Sequence, residues 1–247
     1  MRVRQIGMSC LICLGCHGIA GVGPAQPAVW GTLSSVPMET GTLESVPHKP
    51  AEVPSHLLLA AACIEKGDDA QACHHLGLFL ADHPEHRNAR FYHAELLLKL
   101  GRHRQAAGQF ELAIRYEQGA PEPDVKHLVH CHTQLVRIGE ELDDGYLAHL
   151  HRGIGMLLLA RQRTQIDEPS AELSTESLLC KATAELTRAH SLRPHAVRPC
   201  WYLHVAWRQL AQHGVARRWL AEAQRHPVLA DLTPAESRDL HLAGRAW

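Results

Sequence analysis

Residues 87–120, RNARFYHAELLLKLGRHRQAAGQFELAIRYEQGA, contain two helical patterns on either side of Gly101. In each half, apolar residues recur at intervals of three and four, which is typical of a helix with one buried face. A glycine between two such patterns favours a reversal of the chain. The stretch therefore predicts an antiparallel helix pair. The residues expected to face one another across its turn are Leu96, Leu97, Leu100, Phe110, Ala113 and Ile114.

The same pattern recurs with a period of 34 residues. Toward the N-terminus, Gly67, Ala72 and Leu76 precede Gly101, Ala106 and Phe110 by 34 positions, as Ala60 precedes Ala94. Nearer the C-terminus, Ala182, Leu186 and Ala189 recur as Ala216, Leu220 and Ala223. A helix pair repeated in this way buries its open apolar face against the next pair.

These positions resemble the tetratricopeptide repeat family. The family's small residue at repeat position 8 matches Ala60 and Ala94, and its terminal Pro matches Pro84 and Pro194. Its other signature positions (20, 24 and 27) match Ala72, Ala106, Ala182 and Ala216; Leu76, Phe110, Leu186 and Leu220; and Ala113, Ala189 and Ala223. The resemblance implies an all-α fold in which antiparallel helix-turn-helix repeats stack as a short right-handed solenoid.

On this basis the helical domain is predicted over residues 55–245. The repeats are placed at about 53–86, 87–120, 145–194 (with an insertion) and 195–228, with an extra helix at 124–142. An alternative pairs 124–142 with 145–163 and leaves 174–192 alone. Thr233-Pro-Ala-Glu236 is a capping-box pattern, which predicts a capping helix at 234–244. Gly153-Ile-Gly155 lies in an apolar helical pattern and indicates close helix packing.

The first 54 residues are predicted to serve export and tethering. Residues 1–30 have the basic start and apolar middle of a signal or lipoprotein segment. Cys16 follows Leu14-Gly15 in a lipobox-like pattern and is the candidate for lipid attachment, the alternative being simple cleavage. Cys13-Leu-Gly-Cys16-His17 also matches a haem attachment pattern, but it lies inside the apolar segment. Residues 31–54, with several prolines, are predicted to be a flexible linker. The predicted location is exported, either periplasmic or membrane-anchored in the cell envelope.

Charge and histidine content limit the classes of ligand. A net charge of −1 gives no strong field for nucleic acid, so no nucleic-acid partner is predicted. Because the 20 histidines gain positive charge on acidification, partner affinity and solubility are predicted to change between about pH 7.5 and 5.5. His127, His130 and Cys131 share one helix face, but three ligands on one helix still need a fourth from elsewhere. No metal site and no cofactor are therefore predicted.

The sequence predicts a non-catalytic protein-protein interaction scaffold. It contains no nucleophile or phosphate-binding motif. The resemblance implies that another protein or peptide segment binds in the groove formed by the first helices, while the carboxylate clamp of part of that family is absent. The alternatives are a metal- or haem-binding envelope protein and an accessory subunit of an enzyme complex. The residues predicted to line the groove are Leu57, Ala61, Glu65, Asn88, Phe91, Glu95 and Lys99.

Overall fold

The structure is a computed structural model, which describes residues 55–163, 174–225 and 231–245. Within these ranges the chain forms ten α-helices and no strand, all in one compact unit, Glu52–Trp247. The helices are α1 (His56–Glu65), α2 (Asp69–Asp82), α3 (Arg87–Lys99), α4 (His103–Gln118), α5 (Val125–Glu141), α6 (Gly145–Arg163), α7 (Thr175–Leu192), α8 (Val197–Gln209), α9 (His213–Arg225) and α10 (Pro234–Arg245). The predicted signal segment, Cys16 and the linker lie outside the described residues.

Four helix pairs are joined by the same short turn. The turns after α1, α3, α5 and α8 each contain one residue with a positive φ: Gly67 (75°), Gly101 (71°), Asp143 (53°) and Ala211 (58°). In each turn, the N–H of the next residue donates to a carbonyl five residues earlier, at 2.8–2.9 Å. This is the bond that ends a helix in the Schellman arrangement, which glycine adopts most easily. The repeated turn explains the 34-residue spacing of Gly67 and Gly101.

The small residues of the repeat lie where helices approach closely. Every alanine that matched the family's small positions is fully buried, at 0% exposure. The large residue of each repeat fills the adjacent space, with Phe110 and Leu186 fully buried and Leu76 and Leu220 nearly so. Successive helices pack on one another in chain order. The prediction of an all-α fold built from consecutive helix pairs is therefore confirmed for the residues that the structure describes.

Helix α6 packs closely on both α5 and α7. A methyl group added at Gly139 in α5 would lie 2.7 Å from the backbone nitrogen of Ala148 in α6. One added at Gly153 in α6 would lie 2.6 Å from Cγ of Leu186 in α7. Gly153 thus marks close packing, as the sequence indicated. The sequence left open whether α6 pairs with α5 or with α7, and in the structure α6 contacts both helices.

The last helix begins with the predicted capping box. Thr233 Oγ1 accepts from the N–H of Glu236 at 3.2 Å, and Glu236 Oε2 accepts from the N–H of Thr233 at 2.8 Å. Helix α10 packs on α9 and also on α4, which is far away in the sequence. Thr233 Oγ1 also donates to Oε1 of Gln118 at the end of α4, at 2.7 Å. The C-terminal helices therefore return to the middle of the chain.

Candidate functional site

Helices α5, α6, α8 and α10 surround a cavity of about 410 Å³, here called the tryptophan cavity. Its apolar wall includes Leu128, Ile154, Leu157 and Trp201, each less than a tenth exposed. A volume of this size lies within the range of ligand pockets in proteins, which are mostly apolar with a few polar groups. The cavity can therefore accept one or two apolar side chains or a small apolar molecule.

Polar side chains lie around this apolar wall. Gln162 extends the α6 side, Gln209 the α8 side, and Arg238 and Asp239 the α10 side. A glutamine amide both donates and accepts hydrogen bonds, as a peptide group does. The combination of an apolar centre and a polar edge is typical of a surface that binds another polypeptide.

One wall of the tryptophan cavity is formed by Tyr202 and Glu236, which belong to a buried polar network. Tyr202 donates from its hydroxyl to Glu236 Oε1 at 2.6 Å, and Nε of Arg198 donates to the same oxygen at 3.1 Å. Arg198 and Glu236 are only 5% and 4% exposed. Because Glu236 also caps α10, this one carboxylate ties the start of α10 to α8.

Arg198 also connects α8 to α4. Its Nη1 atom donates to both carboxylate oxygens of Glu111 at 3.1 Å, and its backbone N–H donates to Asp231 at 3.1 Å. Burial alone would lower the pKa of Arg198, but the two carboxylates, Glu111 and Glu236, raise it above its ordinary value. Arg198 is therefore a buried cation held between two anions, and losing it leaves Glu236 as a buried carboxylate without a cation.

The network continues into two histidines that are fully buried. His151 Nε2 lies 2.9 Å from Glu111 Oε1, and His151 Nδ1 lies 2.8 Å from His132 Nδ1. In the hydrogen bond between the two Nδ1 atoms, one ring donates and the other accepts. His151 Nε2 is close to Glu111 but is not aligned for a hydrogen bond, and His132 Nε2 is also buried without a hydrogen-bond partner among the described residues.

The charges of this network favour a neutral His132 and an ionised Glu111. Burial, together with the adjacent His151 and Arg198, holds the pKa of His132 well below its ordinary value of 6.5. Burial would raise the pKa of Glu111, but Arg198 and His151 lower it below 4.5. Both groups therefore bind protons more readily in the unfolded chain than in the folded one.

We expect acid to destabilise the fold for this reason. As the pH falls below about 6.5, the unfolded chain binds a proton at His132 that the folded chain does not bind, so the free energy of unfolding declines. Glu111 adds to this decline only below about pH 4.5. Urea unfolding at pH 7.5 and 5.5 measures the decline, which should be smaller in His132→Gln because glutamine does not titrate. Part of the decline should remain in this variant, because burial also lowers the pKa of His93 and that of His204. Equal declines in His132→Gln and in the exposed-site control His241→Gln would contradict this explanation.

None of the seven residues predicted to line the groove lies on the wall of the tryptophan cavity. Phe91 packs its ring 4.6 Å from that of His127 in α5, and Glu95 Oε1 lies 3.0 Å from His130 Nε2. Lys99 pairs with Asp69 of α2 at 2.5 Å. Leu57 and Ala61 are half-buried, whereas Glu65 and Asn88 are exposed. The structure therefore brings Phe91 and Glu95 together against α5, and the groove as a whole stays a prediction.

The histidine-rich face of α5 serves separate contacts. His127 Nδ1 lies 3.1 Å from Glu117, His130 reaches Glu95 as above, and Cys131 is buried with its pKa raised to about 12, by burial and then by nearby carboxylates. Within the described ranges, no group of three or more histidine, cysteine, aspartate or glutamate side chains is placed to hold a metal ion.

Sequence reasoning missed the buried pair His132 and His151. A usable signal existed, because His132 follows Leu128 by four positions and precedes Leu135 by three, so it lies on the apolar face of α5. The partners of Arg198 gave no comparable signal, since Glu111 is 87 positions away.

No helix in the described parts of the chain combines the length and the apolar character needed to cross a lipid bilayer. No protein-family model matches the chain, and no curated protein matches it.

Among solved structures, the chain is similar to "Crystal structure of MamA protein", with 11% identity, a TM-score of 0.35, and coverage of 69% of this chain and 89% of that one. It is also similar to MamA from Desulfovibrio magneticus RS-1, with 12% identity, a TM-score of 0.31, and coverage of 72% of this chain and 96% of that one. A third similar structure is that of YrrB, described as "a TPR protein with an unusual peptide-binding site". It has 13% identity, a TM-score of 0.32, and coverage of 78% of this chain and 91% of that one. The fold assignment rests on the helix pairs of this chain itself.

Proposed function

We propose that this protein is a non-catalytic scaffold of the cell envelope that binds a segment of another polypeptide in the tryptophan cavity. The observation that carries the proposal is the apolar wall of that cavity, which contains Trp201 beside Tyr202 and is edged by polar side chains. Tryptophan and tyrosine anchor many protein interfaces, because they bury a large area at small entropic cost.

The mode of binding follows from the dimensions of the site. An apolar side chain of the partner enters the cavity and loses its contact with water, which supplies the favourable free energy. The amides of Gln162 and Gln209 hydrogen-bond to the partner's backbone at the edge. Because Arg198 fixes Glu236 and Glu236 accepts from the Tyr202 hydroxyl, this part of the wall is formed before the partner arrives and costs little ordering on binding.

The proposed location depends on the N-terminal segment. Arg2 and Arg4 precede an apolar stretch, and Cys16 has the position expected for lipid attachment. Export with the helical domain held by the linker at 31–54 brings the cavity to partners in the envelope.

A variant that fills the cavity tests the proposal. The full-length chain, tagged at its C-terminus and recovered from the envelope fraction of its host, is used to capture partners for mass spectrometry. Val205→Trp places a ring in the cavity, because Val205 lines it and is half-buried. We expect it to reduce the captured partner by about tenfold or more, the equivalent of about 1.4 kcal/mol of binding.

Leu242→Trp is the matched control, since Leu242 is 54% exposed and does not line the cavity. It should leave capture unchanged. Equal recovery of partners with both variants would contradict binding in the cavity, and Phe91→Ala would then test the predicted groove. Recovery of the chain from the cytosol alone would contradict the envelope location.

A further inference from the structure

A second cavity, of about 690 Å³, lies between α2, α3 and α4 and shares no lining residue with the tryptophan cavity. We call it the arginine cavity, because Arg102 and Arg104 line it together with His74 and His93. Among the described residues that line it, none carries a carboxylate. Its wall therefore presents positive or neutral groups only.

The arginines of this region differ from those of the polar network. Arg198, Arg152 and Arg87 each pair with at least one carboxylate. Arg102 and Arg104 form no ion pair among the residues that the structure describes. The positive charge at the mouth of the cavity is thus uncompensated within the described chain.

A third arginine, Arg90, adds positive charge close to the wall of the cavity. Arg90 is only 5% exposed, and its Nη1 donates to Gln109 Oε1, at 2.8 Å, on the wall of the cavity. Its other described partners, the carbonyl of Pro84 and the ring of Tyr116, are also neutral. Its hydrogen bonds therefore go to neutral groups only, and its charge adds to the positive potential beside the cavity.

His93 gives independent evidence that the wall is incomplete. Its Nδ1 atom is buried and makes no hydrogen bond within the described residues. Burial, followed by the charges of Arg90 and Arg102, lowers the pKa of His93. The ring hydrogen-bonds to Gln109, and its Nδ1 atom is left as a buried polar atom without a described partner in a residue that lines the positive cavity.

We infer that the arginine cavity binds an acidic segment of a polypeptide, with carboxylates at Arg102 and Arg104. The volume greatly exceeds that of one inorganic anion, and Leu78 and Leu97 give part of the wall an apolar character. Arginine binds carboxylates in a bidentate, charge-assisted way. The first turn of α4, which begins at His103 just after Arg102 and has no side-chain cap, adds its dipole to the same attraction.

A labelled peptide tests this inference on the full-length chain. The probe is a fluorescein-labelled heptapeptide of alternating glutamate and leucine, and its analogue has glutamine for every glutamate. Fluorescence anisotropy at near-physiological salt measures both dissociation constants. We expect the acidic peptide to bind at least about tenfold more tightly than its analogue, because only the carboxylates pair with arginine.

Two double variants of equal charge change locate the binding. Arg102→Gln with Arg104→Gln should weaken binding of the acidic peptide by about tenfold or more. Arg137→Gln with Arg245→Gln removes two exposed arginines elsewhere and should change it less than about twofold. All four positions are exposed, and circular dichroism checks that both variants fold.

Several outcomes would overturn the inference. They are equal binding of the glutamine analogue, equal weakening by the two double variants, and no binding at about 1 mM peptide. Displacement of the peptide by inorganic phosphate or a DNA oligonucleotide at lower concentration than by unlabelled peptide would assign the cavity to a phosphate instead. Since the two cavities share no residue, Val205→Trp should leave this binding intact, and failure at one site does not decide the other.

Discussion

Replacing Arg198 with alanine is expected to lower the free energy of unfolding by about 3–5 kcal/mol. The guanidinium is the only described cation that lies within hydrogen-bond distance of both Glu111 and Glu236. Without it, Glu236 is a buried carboxylate facing only the hydroxyl of Tyr202 and one backbone N–H. An unpaired buried charge costs much more than the pair contributes, which is why the expected loss is large.

Urea unfolding followed by circular dichroism measures this loss. Arg225→Ala is the matched control, because Arg225 is 73% exposed and pairs with Glu222 on the surface of α9, where such a pair contributes about 0.2–1 kcal/mol. A triple variant, Arg198→Met with Glu111→Gln and Glu236→Gln, removes all three charges and should recover most of the stability. A loss in Arg198→Ala no larger than in Arg225→Ala would show that the network is not what holds α8 and α10 to α4.

Replacing Gly139 with alanine is expected to destabilise the fold by about 1–3 kcal/mol, although alanine is intrinsically the better helix former. The added methyl group would meet the backbone nitrogen of Ala148 at 2.7 Å. Backbone atoms cannot rotate away as a side chain can, so α5 and α6 must separate. Their separation would also loosen the contact between His132 and His151, which links the same two helices.

Gly108→Ala is the control for helix propensity. Gly108 also lies inside a helix, α4, but nothing stands within 4 Å of the position that a methyl group would occupy. We expect this change to stabilise the protein by about 0.5–1 kcal/mol. Effects of the same sign at Gly139 and Gly108 in thermal and urea unfolding would contradict the close approach of α5 and α6.

The features that could be predicted from the sequence depend on residues that are close together along the chain. The alanines and leucines of the repeat recur with a fixed period, and the capping box of Thr233 and Glu236 spans only three residues. Such patterns are visible in one sequence, because a helix face and a helix end are set locally. The fold class was therefore predictable.

The candidate site depends on distant residues. Glu111 meets Arg198 across 87 positions, and Gln118 meets Thr233 across 115. These contacts are set by how each helix pair is rotated on the next, and no local pattern reports that rotation. The arginine cavity combines residues of three helices for the same reason, although the positions of Arg102 and Arg104 before and within the first turn of α4 were visible in the sequence.

The return of α8 and α10 to α4 has a consequence for the order in which the protein folds. In an array whose repeats touch only their neighbours, each repeat can fold soon after it is made. Here the contact between Glu111 and Arg198 cannot form until residue 198 has been synthesised, 87 residues later. At a synthesis rate of about 5–20 residues per second, this delay is at least about 4–17 s. Until Arg198 is available, Glu111 lacks the guanidinium with which it pairs in the folded protein, so α4 reaches its final packing later than a helix that contacts only its neighbours in the chain.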